Sequence, residues 1–157
     1  MIECNSIKGG KVMIAEDKLV FRPSVYAVIV NEGRILMLNT KSNGKYFFPG
    51  GGQNIGETLP EALRREVREE VGLEIEIGKL IHFKEQFFYY DPHDEAYHML
   101  SFFYECKALT LDLLSDDSVD DEESEKPRWV DLNELRQTNN NIEAVDEVLC
   151  LLQEYER

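Results

Sequence analysis

The chain has 157 residues, 43% of them hydrophobic and 31% charged, which suits one folded domain with a sizeable core rather than a disordered chain. No apolar run approaches the roughly 20 residues needed to cross a bilayer, and Met1-Ile2-Glu3-Cys4 lacks the basic-then-apolar order of a secretory leader. The net charge of −14 weighs against a nucleic-acid backbone as the main partner, because binding one draws on Lys and Arg.

Residues 1–22 mix polar and apolar types weakly and read as a strand or two at the edge of the domain. Ser24–Val30 is β-branched and apolar, which predicts a buried strand. Asn31-Glu32-Gly33 reads as a turn and Arg34–Asn39 as the returning strand of a hairpin. Tyr46-Phe47-Phe48 reads as a short aromatic strand ending in Pro49-Gly50-Gly51-Gly52; alternation would send Phe47 to one face and its two neighbours to the other. A helix is predicted next. Thr58 is a good N-cap, Glu61 stands three residues on as in a capping box, and Pro60 falls in the first turn. Leu59, Leu63, Val67 and Val71 draw one apolar stripe, and Gly72 stops the helix.

Leu73–Phe83, Glu85–Tyr90 and Tyr97–Lys107 read as strands, with 91–95 a loop between the last two. The acidic stretch Ser115–Pro127 reads as a solvated loop. Trp129-Val130 opens a short strand or turn, and Asp131–Leu135 a helical turn. Ile142, Val145, Val148, Leu149 and Leu152 mark a C-terminal helix. Strands on either side of one central helix, with a terminal helix, predict an α/β/α sandwich around a mixed β-sheet, built as one domain over 1–157. Cys4, Cys106 and Cys150 are far apart and form no CxxC pair, so neither a disulfide framework nor a zinc site is expected, and the cytoplasm is the expected compartment.

Glu66, Glu69 and Glu70 lie at i, i+3 and i+4, a spacing that projects them from one helical face about 5–6 Å apart. Ala62, at i−4 from Glu66, would leave room beside it. Three crowded carboxylates repel one another unless a cation neutralises them, and hard oxygen ligands select magnesium, manganese or calcium. A net charge of −14 would also repel a phosphate ligand, and a bridging metal would let so acidic a chain hold one. The glycines 50–52 enter the same helix. Their backbone can approach a ligand closely, offering a carbonyl to a metal and N–H donors to phosphate. Taken alone, the carboxylates would read as a solvated helix face and the glycines as a turn.

Gly51-x5-Glu57-x7-Arg65-Glu66-Val67-x-Glu69-Glu70-x-Gly72-Leu73 resembles the Nudix box over 51–73 without a gap, in the loop–helix–loop setting the box requires. Arg128-Trp129-Val130 and Glu134-Leu135 also look like that family. Asn54 departs from it, since many members carry a glutamate there. The resemblance implies a Mg2+-dependent hydrolase, with Mn2+ as a substitute ion. Such an enzyme cuts a phosphoanhydride bond in a nucleoside diphosphate linked to another group: a nucleoside triphosphate, an ADP-sugar or a dinucleotide.

It further implies that Glu66, Glu69 and Glu70 bind the metal with the Gly50 carbonyl. Glu57 would be an accessory carboxylate, and Arg65 would orient a glutamate. The general base would be Glu66 or an acid of a later loop, for which Glu122, Glu123 and Glu125 are the candidates. Gly51, Gly52, Phe47, Glu122 and Glu125 are candidate substrate contacts. Phe47 could stack on a base, although at least one ring of that run is expected in the core. The expected partner is a small nucleotide. No membrane partner is expected, nucleic acid is disfavoured, and a homodimer is left open. Two other readings stand beside the enzyme. One is a nucleotide sensor without turnover, which would be expected to have lost box carboxylates. The other is an RNA-end pyrophosphohydrolase, which the charge disfavours.

Overall fold

The computed structural model describes residues 1–40, 44–113, 124–138 and 142–155. These residues form nine strands: β1 (Ile2–Ser6), β2 (Lys11–Ile14), β3 (Leu19–Asn31), β4 (Arg34–Thr40), β5 (Tyr46–Phe47), β6 (Gly50–Gly52), β7 (Ile75–Tyr90), β8 (Glu95–Ala108) and β9 (Ser124–Asp131). Three helices join them: α1 (Leu59–Val71), α2 (Leu132–Gln137) and α3 (Glu143–Tyr155). The strand order is β2-β1-β7-β8-β3-β4-β5, with β6 paired to β3 and β9 to β4. The sheet is mixed: β1·β7 and β3·β8 run parallel and the other pairs antiparallel.

Alternation along the central strands explains the sandwich. Val25, Ala27 and Ile29 of β3 and Leu36 and Leu38 of β4 point to one face, where they pack on Ala62, Leu63, Val67 and Val71 of α1. Val28 of β3 and Ile35 and Met37 of β4 point to the other, where they meet Leu132 and Leu135 of α2 and Val145, Val148 and Leu149 of α3. The α/β/α arrangement over a mixed sheet is therefore present.

β3 is long enough to hold two partners on one edge. Its middle pairs with β6 (Ser24↔Gly52, Tyr26↔Gly50) and its end with β4 (Val30↔Ile35). The sheet opens between them, and the glycine strand lies on the β3 side of the opening.

The helix signals at α1 are all realised. Thr58 accepts from the Glu61 amide and Glu61 accepts from the Thr58 amide, closing the capping box. Gly72 ends the helix at φ 76, a left-handed conformation that favours glycine. At α2, Asp131 caps the amides of Asn133 and Glu134 at 2.9 and 3.1 Å.

Four expectations are corrected. The strands expected over Leu73–Phe83 and Glu85–Tyr90 are one strand, β7, which begins at Ile75 and keeps pairing with β8 through irregularities near Leu80. Residues 124–127, read as the end of the acidic loop, begin β9, because β4 offers a partner edge as far as Thr40. Tyr46, Phe47 and Phe48 do not alternate. The strand ends at Phe47, and all three side chains pack with the α2–α3 side of the core. Ala62 is fully buried in the α1 core, so it leaves no open space beside Glu66.

Candidate active site

β6 consists of three glycines, and the structure shows what each bare α-carbon permits. Gly50 has φ 149; a methyl there would collide with the Val25 carbonyl and stand 2.7 Å from Tyr26 Cα. A methyl on Gly51 would stand 2.8 Å from the Glu66 carboxylate, and one on Gly52 would stand 2.6 Å from Arg22 Nε. With no side chains to fix its register, β6 is held by hydrogen bonds at both ends. Ala27 N–H donates to Pro49 O at 2.8 Å and Gln53 N–H to Pro23 O at 3.0 Å. Gly50 N–H donates to Glu70 Oε1 at 2.7 Å.

Arg65 organises the carboxylates. Its Nε and Nη2 reach the two oxygens of Glu57 at 2.5 and 3.0 Å, a two-pronged pair. Nη1 reaches Glu66 at 2.9 Å and Glu69 at 3.3 Å, and Nη2 also donates to the Gly52 carbonyl at 3.0 Å. The Arg65 hydrogen bonds, joined by the Asn54 amide, hold the Glu57 carboxyl down at about 2. In return Glu57, and after it Glu66, raise Arg65 above its already high value.

The structure thus brings Glu57, Arg65, Glu66 and Glu69 together on one side of Gly51 and Gly52. Glu69 is the open member, with 46% of its side chain exposed against 16% for Glu66. Glu70 differs from both: it is only 2% exposed and ties α1 to Gly50. Among the described residues, no three His, Cys, Asp or Glu side chains enclose a metal-sized space. The donors at the glycine strand are carboxylate and carbonyl oxygens, a chemistry that fits a hard divalent cation that shares its shell with water and phosphate.

Phe47 lies away from this cluster, with its ring against Tyr26, Phe48 and Phe103 on the α2–α3 face. Glu122 and Glu123 lie outside the described residues; Glu125 pairs in β9 opposite Asn39. Two arrangements escaped the sequence reading. One is Arg22 against Gly52, which no spacing links, since the residues are thirty apart and meet only through the β3·β6 register. The other is an ion cluster on the far face. There Lys84 Nζ lies 2.9 Å from both Glu143 and Glu147, and His82 Nε2 lies 2.7 Å from Glu147. An open cavity of about 720 Å³ lies beside that second cluster, lined by His82, Glu143, Asp146, Glu147, Cys150 and Glu154 among others. Its acidic wall suits a polyphosphate poorly, so the glycine strand is the better candidate site.

The mixed-sheet sandwich thus sets a strand of glycines against a helix that carries Arg65 and its carboxylate partners. A family model described as the NUDIX domain matches residues 20–151, and the chain belongs to the Nudix family. Nucleoside triphosphatase NudI of Enterobacter sp. (strain 638) is 33% identical over 110 residues, covering 64% of this chain and 78% of that protein. NudI of Salmonella agona (strain SL483) is 28% identical over 138 residues, covering 82% and 98%. Among solved structures, a MutT protein from Methanosarcina mazei Go1 superposes with a TM-score of 0.70 at 22% identity, covering 89% of this chain and 99% of its own. A MutT Nudix hydrolase from Burkholderia pseudomallei gives 0.64 at 24%, covering 85% and 98%. These two solved structures share the fold of this chain. Among the described residues no helix is long and apolar enough to cross a membrane.

Proposed function

We propose that this protein, working as one domain in the cytoplasm, hydrolyses a phosphoanhydride bond of a small nucleotide with Mg2+. A nucleoside triphosphate is the first candidate, an ADP-sugar or dinucleotide the next. One observation carries the reading: a strand with no side chains lies against Glu66 of a helix whose Arg65 gathers Glu57, Glu66 and Glu69. Relatives named as nucleoside triphosphatases support the order of substrates.

Glu66, Glu69 and Glu70, with the Gly50 carbonyl, would hold the ion. When bound, Mg2+ neutralises charge on the polyphosphate and on the departing phosphate. Gly51 and Gly52 let the substrate's phosphates come close to the main chain. Water attacks phosphorus as the bridging P–O bond breaks, and Glu66 takes the proton that the water loses. Arg65 holds Glu66 in place, and Glu57 fixes the Arg65 fork from its other side. Glu70 adds an anchoring role through the Gly50 amide.

The test is phosphate and pyrophosphate release from a panel of nucleoside triphosphates, ADP-sugars and dinucleotides, with and without Mg2+. Wild type is expected to turn over at least one class, and Glu69→Gln to lose ~10²–10⁴-fold in kcat. Equal rates in the two proteins, or no turnover of any compound, would sink the reading. A nucleotide-dependent rise in Tm without turnover would assign a binding role instead.

A further inference from the structure

Gly52 is flanked by two guanidinium groups in different circumstances. Arg65 Nη2 donates to its carbonyl. On another side, the Arg22 guanidinium lies where a side chain of residue 52 would be, with Nε 2.6 Å, Nη2 3.0 Å and Cζ 3.2 Å from the position of a β-carbon. Arg65 is saturated by three carboxylates. Arg22 forms no salt bridge among the described residues. Its guanidinium carbon instead stands 5.5 Å from the centre of the Tyr97 ring, so an aromatic face supports it.

We propose that Arg22 is a substrate-binding residue that grips the polyphosphate of the nucleotide across the bare α-carbon of Gly52. This rests on the functional reading above. The chemistry favours it. A nucleoside polyphosphate carries several negative charges, and beside the glycine strand stand the carboxylates of Glu57, Glu66, Glu69 and Glu70. Arg65 is occupied with three of them. A planar guanidinium with no carboxylate partner among the described residues, oriented by an aromatic ring, matches two phosphate oxygens at once. Gly52 is then required for a second reason: any side chain there would push the fork away. Arg22 sits in β3, a rigid strand of the central sheet, so the grip is placed by the fold and not by a loop.

Steady-state kinetics of wild type, Arg22→Met and Arg22→Lys on the best nucleotide of the panel test this. Met keeps the apolar stem and removes the charge; Lys keeps the charge without the fork. Arg22→Met is expected to raise KM ~10- to ~100-fold, as for loss of a hydrogen-bonded charge, while kcat falls less than ~3-fold. Arg22→Lys should recover part of that loss. A KM within about twofold of wild type in Arg22→Met overturns the proposal, and so does an equal loss in kcat alone.

A second measurement uses the wild-type chain and no turnover. Phenylglyoxal modification of Arg22, mapped by peptide mass, should slow at least ~10-fold when an α,β-methylene nucleoside triphosphate is bound. No protection overturns the proposal even if the variants fail to fold. The two readings fail separately. A wild type that turns over nucleotides while Arg22 stays unprotected defeats only this inference. A wild type without turnover whose Arg22 is protected defeats only the hydrolytic reading.

Discussion

Arg65 and Lys84 serve helices on opposite faces of the sheet, and each gathers carboxylates. Arg65 holds Glu57, Glu66 and Glu69; Lys84 holds Glu143 and Glu147, the latter shared with His82. What differs is the neighbourhood. Beside Arg65 runs a strand of three glycines, so a ligand can reach main chain and carboxylate together. Beside Lys84 stand a helix and, through His82, the Phe103 ring at 5.5 Å, so its charges fasten α3 to β7. Clustered acids around a base therefore do not by themselves make a site. Only the Arg65 cluster has a side-chain-free strand beside it, and the proposed function rests on that difference.

The comparison breaks if substitutions on the two sides behave alike. The largest expected effect is that of Glu66→Gln, which should lower kcat ~10²–10⁴-fold with Tm hardly moved, read by steady-state kinetics and thermal melts. Gly50→Ala should come next, costing at least ~3 kcal/mol in urea denaturation, because the new methyl meets the Val25 carbonyl in a conformation that disfavours side chains. Lys84→Met should show the reverse profile, with ~1–2 kcal/mol of stability lost and kcat/KM retained, since it strips the cation from Glu143 and Glu147.

The smallest effect is in the pH dependence. Glu57 is held at about 2 against an ordinary 4.5, so its folded value is the lower one. The stability it contributes is full above pH 4.5 and fades as pH falls towards 2. The gap in urea midpoint between wild type and Glu57→Gln should narrow through that window, and a gap that widens on acidification would contradict the pairing.

Local signals carried far in this sequence. The capping box, the Leu59–Val71 stripe and Gly72 fixed α1 because a helix is specified by residues within a few turns of one another. The sandwich followed from the order of elements, with strands on either side of one central helix and a helix at the end. Expectations went astray where long-range pairing decides. Residues 124–127 join β9 only because β4 lies open opposite, and Phe47 and Phe48 share a face because the strand stops between them. At the site, spacing placed Glu66, Glu69 and Glu70 on one helix, but not the burial of Glu70 under Gly50. Nor could it reveal Arg22 at Gly52, which depends on a strand register thirty residues apart.

The bond from the Gly50 amide to Glu70 makes a single proton into a clock for the site. That proton can exchange with solvent only when the glycine strand lifts from α1, whereas amides at the centre of β3 exchange when the sheet itself opens. Comparing the two exchange rates would separate the lifting of the glycine strand from global unfolding, without a label or a substitution.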